Sequence, residues 1–441
     1  MKALTRSLNQ VIPWLSAYDQ PEVAEGALDP LGLYSIADAL TVNRLCPGVR
    51  ERQKHPGFLV PIAIGASLAE EYTGQYSEIN NVSPIQIFEW YVVQALVGSY
   101  RHKDPARLTG LPGRDKVSHA IDQFGCVAAE SYLKTPSVFG FYGVYKLLAR
   151  KLEILYEDKT SHQCPRLVAA WEQDQNHIIR NREAYFKLSR EGIDYGLENE
   201  KTQKHWKHWQ KFAEPMVTHQ PGPKVSALLW EFLIDEREPL RSEYFQFLVN
   251  EGADIWLNSD SDESEQVIHR ALIEKSSPAM KALLETIQRY EEFSRLVTDA
   301  FYHILYAGSQ AERSVGINEL TGLDSVTAAA KRLPQIQTAL EEGLHAHEVY
   351  GSFAGFQELF SSTGSAGDWV NALLDHHVIN QQNKPPNGKM PFIERYDGGA
   401  IRTRTAYCQN EPPKQSGHYV HAYRLTSLWS FAVDIGKASN A

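Results

Sequence analysis

Residues 84–100 read Pro-Ile-Gln-Ile-Phe-Glu-Trp-Tyr-Val-Val-Gln-Ala-Leu-Val-Gly-Ser-Tyr and give a strong helical signal. Apolar residues recur at helical spacing along one stripe, which comprises Ile85, Ile87, Phe88, Tyr91, Val92, Ala95 and Leu96. This period predicts an amphipathic helix with the stripe turned toward a core. Helical patterns also fill residues 225–360, and strand-like alternation is scarce before residue 390. The sequence therefore predicts a mainly α, multi-helical fold.

A small β-hairpin is predicted near the carboxyl terminus. Phe392–Tyr396 and Ile401–Tyr407 are strand-like, and Gly398 and Gly399 between them supply a turn. The hairpin gives the multi-helical fold a small α+β carboxyl-terminal module.

Pro215–Lys224 is the best linker in the sequence because it carries three prolines and a glycine. It divides the chain into a helical domain over residues 1–214 and a second helical domain over 225–365. The carboxyl-terminal module then covers residues 366–441.

Composition limits the class of protein. The chain has 441 residues, a net charge of −10 and four widely separated cysteines without a CxxC pair, so neither a zinc site nor a disulfide framework is expected. No run approaches the ~20 apolar residues of a membrane helix, and the amino terminus lacks an apolar signal core. We expect a cytoplasmic protein that has no cofactor and does not contact the membrane. Because salt screens charges beyond about 10 Å, the net acidity does not exclude local basic grooves.

The carboxyl-terminal module is locally basic. Residues 376–424 contain seven Lys or Arg against three Asp or Glu, and Gly388 lies between two lysines where it would allow close approach of a ligand. Backbone amides beside basic side chains suit phosphate. The predicted nucleic-acid contacts in this module are Gln381, Lys384, Gly388, Lys389, Arg402, Arg404, Tyr407, His421 and Arg424.

A second DNA contact is predicted in the first domain. The turn that ends at Gly113 is similar to the hairpin of a helix-hairpin-helix motif, in which backbone amides contact a phosphate. Arg114 and Lys116 would add positive charge, although Asp115 stands where that motif has a second glycine. A plain connector between two helices explains the same residues. Aromatic residues at 132–153 indicate either core packing or a winged-helix turn.

Lys201–Lys211 interleaves basic residues with Trp206 and Trp209. Such a segment can follow a single strand and stack its bases. The favoured alternative is an amphipathic helix with both tryptophans turned inward.

Base excision requires a carboxylate near an extruded base. The candidate catalytic residues beside the basic module are Asp375, His376, Glu394 and Asp397. No metal site is expected, because His376 and His377 are adjacent and cannot face one ion from a regular helix, and the sequence contains no HExxH motif.

Two stretches, Asp29–Val49 and His377–Lys389, resemble bacterial proteins of anti-phage defence loci. Within such loci, the chain is similar in outline to DNA glycosylases that remove modified bases from phage DNA. The resemblance implies a DNA-acting defence enzyme of the hydrolase class, with phage DNA and proteins of the same locus as partners. It carries over no catalytic residue. The alternatives are a non-catalytic DNA-binding or adaptor subunit and a metal-dependent nuclease.

Overall fold

The computed structural model describes residues 29–175, 182–216, 218–259, 264–311, 314–357, 359, 365–385, 387–413 and 417–439. The predicted mainly α, multi-helical fold is confirmed. In chain order, the α-helices are α1 (Tyr34–Leu40), α2 (Leu59–Ala69), α3 (Pro84–Tyr100), α4 (Arg114–Phe124), α5 (Pro136–Phe139), α6 (Phe141–Lys151), α7 (Gln163–Asp174), α8 (Arg182–Asn199), α9 (Trp209–Ala213), α10 (Pro223–Leu233), α11 (Pro239–Asn250), α12 (Gly252–Asn258), α13 (Ser264–Ile273), α14 (Pro278–Gln310), α15 (Ile317–Leu320), α16 (Asp324–Ala346), α17 (Tyr350–Phe353), α18 (Ala366–Gln382) and α19 (Leu425–Asp434).

The described strands form two small antiparallel sheets. β1 (Leu155–Tyr156) pairs with β2 (Lys159–Thr160), and β3 (Ile393–Arg395) pairs with β4 (Ile401–Thr403). The second pair is the predicted carboxyl-terminal hairpin, so the small α+β element is confirmed. None of the helices in the described ranges is long and apolar enough to cross a membrane.

The chain divides into two compact units. Unit 1 comprises Glu285–His421 with the residues up to Ala37, and unit 2 comprises Asp38–Leu284 with Ala422–Ala441. These boundaries differ from the three segments drawn from the sequence, because both sides of the expected linker belong to unit 2.

The expected linker at residues 215–224 is anchored at both ends. The Trp171 indole donates a buried hydrogen bond of 2.8 Å to the Pro215 carbonyl. At the other end, the Asp174 carboxylate accepts from the amides of Lys224 and Val225, at 3.0 and 2.8 Å. These bonds satisfy amides at the start of α10, which have no partner inside the helix. The prolines therefore shape a helix connection inside one unit.

Helix α3 has the bounds that its sequence pattern predicts, and a Ser83–Gln86 capping box fixes its start. It is not amphipathic, however. It packs against α2, α4, α6, α8 and α9, and these neighbours also bury the face opposite the predicted stripe, including Glu89, Trp90 and Gln94. Burial on all sides favours partners within the protein for the polar side chains of α3, although the Trp90 indole has none among the described residues.

Glu89 meets this requirement by holding the start of α6. Its carboxylate accepts hydrogen bonds from the Tyr132 hydroxyl at 2.6 Å and from the Tyr142 amide at 2.9 Å. Burial raises the pKa of Glu89 to about 7, although these two hydrogen bonds oppose the rise. A carboxylate at a helix amino terminus is electrostatically favourable, so Glu89 positions α6 whenever it is charged.

We expect Glu89→Gln to change the pH dependence of stability. Between the ordinary pKa near 4.5 and the folded value of about 7, the folded state keeps a proton that the unfolded chain releases. Wild-type stability therefore falls as pH rises through this window. Glutamine can accept from Tyr142 and donate to the Tyr132 hydroxyl without titrating.

Urea denaturation from pH 5 to pH 8 measures the effect. The free energy of unfolding of Glu89→Gln should rise relative to the wild type by about 2–3 kcal/mol over this range. Parallel pH profiles for the two proteins would contradict the role given to Glu89.

Candidate nucleic-acid interface

The predicted basic module holds much of its charge in ion pairs within unit 1. Arg404 pairs with Glu394 at 3.0 Å, and Arg395 pairs with Asp375 at 2.8 Å. Two of the predicted catalytic carboxylates are thus neutralised by arginines. Asp397 is exposed at the start of the turn between β3 and β4.

The polar residues of α18 hold the chain segment that begins at Asp29. The His376 ring bonds to the Leu31 carbonyl at 2.8 Å, and the buried Gln381 amide donates to the Pro30 carbonyl at 3.3 Å. His376 was predicted to be catalytic and Gln381 to contact nucleic acid, but these bonds give both of them a structural task.

His377 has the same task. Its Nδ1 bonds to the Pro30 carbonyl at 2.9 Å, and its Nε2 accepts from the Phe392 amide at 2.9 Å. Burial lowers the pKa of His377 to about 4, so the ring is neutral at physiological pH. The two stretches that carry the resemblance to defence proteins are therefore joined by side chains of α18.

The predicted phosphate loop after α18 closes on itself. The Gly388 amide donates to the Lys384 carbonyl at 2.7 Å, and the Lys389 amide donates to the Gln381 carbonyl at 2.8 Å. Gly388 has a φ of +80°, and a Cβ there would lie 2.7 Å from the Gln382 carbonyl oxygen. Loop closure explains this glycine without a ligand. Burial lowers the pKa of Lys384.

The remaining predicted contacts of the module differ in exposure and in their partners. Arg402 is exposed, whereas the Tyr407 ring stacks on Phe392 with centroids 3.8 Å apart. His421 pairs with Glu291 at 2.7 Å, and both side chains are buried. Arg424 belongs to unit 2, where it is buried and ion-paired with Asp38. Among the arginines predicted to contact nucleic acid, Arg404 and Arg424 are thus ion-paired, whereas Arg402 is exposed.

The turn before α4 also faces inward. A Cβ on Gly113 would lie 2.8 Å from the Tyr132 hydroxyl, so this ring covers the glycine that was predicted to contact phosphate. Arg114 pairs with its neighbour Asp115 at 2.9 Å, and Lys116 is exposed. The helix connector explains Gly113.

The lysine segment (residues 201–211) differs from the helix that was favoured at the sequence level. Residues 200–208 are not helical, because α8 ends at Asn199 and α9 begins at Trp209. An antiparallel bridge joins Lys201 to Ala128 at the start of the segment. The segment therefore runs from α8 to α9 through one bridge and two turns.

A buried hydrogen-bond network fixes the start of this segment. The Thr202 hydroxyl bonds to the Gln94 side chain and accepts from the Val127 amide at 2.9 Å. The Gln203 amide donates to the Tyr91 hydroxyl at 3.2 Å. Two polar residues of α3, Tyr91 and Gln94, thus set the position of the lysine segment.

The two tryptophans of the segment have different environments. Trp206 is buried and donates from its indole to Glu191 at 2.8 Å. Trp209 is half-buried and stacks on Tyr91, with ring centroids 5.3 Å apart. The inward-turned alternative is therefore correct for Trp206 alone.

Trp209 lines a cavity of about 410 Å³. Tyr100 and Gln94 contribute to its wall, and Lys103 and Lys204 bring positive charge to it. The Lys204 stem lies against Gly125 at the end of α4. The volume is within the roughly 300–1,000 Å³ of small-molecule sites.

The lysines here are exposed and unpaired. Lys103 and the four lysines of the segment make no ion pair with any residue in the described ranges. No acidic residue occurs between Lys201 and Lys211. The lining of this cavity therefore carries more positive than negative charge, since Lys103 and Lys204 outnumber Glu214.

A second cavity of about 460 Å³ shares Tyr100 and Glu214 with the first. Its lining is acidic, since Glu214, Asp104 and Asp434 outnumber Arg107, which pairs with Asp104 at 3.0 Å. This charge makes the second cavity unsuitable for a polyanion.

His219 lines the second cavity and is held by two hydrogen bonds. Its Nε2 bonds to the Thr109 carbonyl at 2.7 Å, and its Nδ1 lies 3.2 Å from the Thr218 hydroxyl. Burial, followed by the charge of the neighbouring His55 ring, lowers the pKa of His219. His55 in turn bonds to Asp434 at 2.7 Å. The described residues contain no group of three or more His, Cys, Asp or Glu that could hold a metal ion.

Comparisons with family models, with curated proteins and with solved structures found no match to this chain.

Thr202→Val tests the anchoring of the lysine segment. The substitution keeps the side-chain shape but removes the buried hydroxyl, while the Val127 amide keeps its bond to the Gln94 side chain at 3.1 Å. We expect a loss of about 0.5–1.5 kcal/mol in the free energy of unfolding, measured by urea denaturation. We also expect faster tryptic cleavage after Lys204.

Thr73→Val is the matched control, because the Thr73 hydroxyl bonds to the Glu70 carbonyl at an exposed position. Its stability should stay within about 0.5 kcal/mol of the wild type. Equal stability and equal cleavage rates for the two variants would show that the network does not hold the segment.

Proposed function

We propose that this chain binds nucleic acid by taking one unstacked nucleotide into the Trp209 cavity. The single observation that carries the proposal is the unpaired charge of Lys103 and Lys204 beside an aromatic wall. The nucleotide comes from a single strand or is turned out of a duplex.

The chemistry of the cavity matches both parts of a nucleotide. Lysine ammonium groups attract backbone phosphates through their charge, independently of sequence. An aromatic ring stacks on the face of any base, and Trp209 and Tyr100 supply two such rings. The other exposed lysines of the segment extend the positive charge beyond the cavity, as required for a strand that continues past one nucleotide.

Lys103→Ala with Lys204→Ala should weaken binding to a single-stranded oligonucleotide. Since each lost phosphate contact lowers the salt slope by about 0.7, the slope of log K against log salt should fall by about 1.4. Trp209→Ala should cost about 1–3 kcal/mol of binding free energy at every salt concentration. Fluorescence anisotropy at several salt concentrations measures both effects.

Lys281→Ala with Lys331→Ala is the charge control, since both residues are exposed lysines on α14 and α16. This variant should retain wild-type affinity. Lys384→Ala with Lys389→Ala tests the module predicted from the sequence in the same titration. If the Lys103–Lys204 variant and the charge control bind alike, the cavity is not the binding site.

Base excision is a second candidate, favoured by one observation. The carboxylate of Glu214 lines the Trp209 cavity, and the Gln210 side chain donates a hydrogen bond to this carboxylate at 2.9 Å. A carboxylate beside an extruded nucleotide can stabilise the positive charge that develops on the sugar as the base leaves. Glu214 thus supports the anti-phage glycosylase hypothesis with a carboxylate other than the predicted Asp375, Glu394 and Asp397.

Glu214→Gln separates excision from binding. The wild type should release bases from modified phage DNA and leave abasic sites that alkali cleaves. The variant should lose this activity. Its affinity for the oligonucleotide should stay within about threefold of the wild type, because glutamine keeps the shape of the Glu214 side chain in the cavity lining. If the wild type forms no abasic site on any modified DNA, the excision hypothesis is rejected, whereas the proposal of nucleic-acid binding is not touched by this result.

A further inference from the structure

Three donors on the outer face of α6 meet a single carboxylate oxygen. Tyr142, Lys146 and Arg150 are spaced four residues apart and so lie on one side of the helix. The Tyr142 hydroxyl lies 3.0 Å from Asp158 Oδ1 and the Arg150 guanidinium lies 3.3 Å from it. The Lys146 ammonium pairs with the same oxygen.

This arrangement has the chemistry of an oxyanion site. Two cations and a hydroxyl surround one anionic oxygen, which leaves a surplus of positive charge after the carboxylate is counted. Charged donors of this kind bind phosphate oxygens as they bind carboxylates. An oxygen of a phosphodiester can therefore take the place of Asp158 Oδ1.

The acid that fills the site belongs to a short hairpin. Asp158 lies in the turn between β1 and β2, each of two residues, and its side chain is 64% exposed. Exposed ion pairs contribute only about 0–1 kcal/mol, so a polyanion can displace this carboxylate. The Glu89 carboxylate beneath the Tyr142 amide keeps the start of α6 in place.

The surroundings suit a nucleic-acid backbone. Lys159 is exposed on the same hairpin, and the Tyr156 side chain is 71% exposed beside it. On the neighbouring α5, Phe139 is exposed with the Arg52 guanidinium 4.8 Å from its ring centroid. Helices α5 and α6 lie within the aromatic stretch for which the sequence left core packing and a winged-helix turn as alternatives.

We propose that Tyr142, Lys146 and Arg150 form a second phosphate-contact face, and that Asp158 occupies it as a built-in competitor. This inference rests on the proposed nucleic-acid function and specifies a contact for duplex DNA, separate from the Trp209 cavity. Release of Asp158 from the three donors is then part of binding.

Asp158→Asn tests this competition. The amide has nearly the same shape but no charge, so the donors become available to phosphate. Affinity for a duplex oligonucleotide should rise about 3- to 10-fold at 100 mM salt, and the salt slope should steepen by about 1.8 for two new phosphate contacts. Adding Lys146→Ala and Arg150→Ala to the variant should abolish both changes.

Glu251→Gln is the matched control, because it removes one negative charge from an exposed ion pair with Lys275. Thermal denaturation establishes that each variant is folded, and Lys146→Ala with Arg150→Ala in the wild-type background gives an independent test, with weaker duplex binding expected. If Asp158→Asn matches Glu251→Gln in affinity and slope, the inference is overturned. A gain that persists without Lys146 and Arg150 overturns it as well.

The duplex titration tests the phosphate-contact face, and the single-strand titration tests the Trp209 cavity, so their outcomes can be told apart. If Asp158→Asn has no effect while Lys103→Ala with Lys204→Ala weakens single-strand binding, this inference falls and the proposed function stands. If wild-type protein binds neither oligonucleotide, the proposed function itself is wrong.

Discussion

Helix α3 is enclosed by neighbouring helices on all sides, and this burial is the constraint on which the arrangement of unit 2 depends. A buried polar atom without a partner costs about 1–3 kcal/mol, which favours bonds from the polar side chains of α3 to other parts of the chain; the Trp90 indole is an exception, with no hydrogen-bond partner among the described residues. Glu89 bonds to the start of α6. Tyr91 and Gln94 bond to Gln203 and Thr202 of the lysine segment. One buried helix therefore positions both surfaces to which we assign nucleic-acid contacts.

Local patterns predicted the local structure well. The bounds of α3 and the β3–β4 hairpin follow from periodicity and turn residues, which act over a few positions. The environment of α3 did not follow, because a stripe of apolar residues indicates which face must be buried and cannot indicate whether the opposite face is also covered. The anchoring of the proline-rich residues 215–224 did not follow either, because it depends on Trp171 and Asp174, which lie 44 and 50 residues before their partners.

The candidate site was harder to predict than the fold, because counting charges along the sequence ignores partners that are distant in the chain. His421, a predicted nucleic-acid contact, pairs with Glu291, which lies 130 positions away. The lysine segment carried the better signal, an absence of acidic residues across eleven positions. The spacing of Trp206 and Trp209 favoured a different interpretation, an amphipathic helix with both tryptophans buried. The resemblance to defence proteins stays a prediction, since none of these contacts bears on it.

Tyr100 and Glu214 form a partition common to two cavities of opposite electrical character. A substitution at either residue therefore changes the walls of both cavities at once. Glu214 also brings its negative charge to both, so that its replacement by a neutral residue makes each of them more positive.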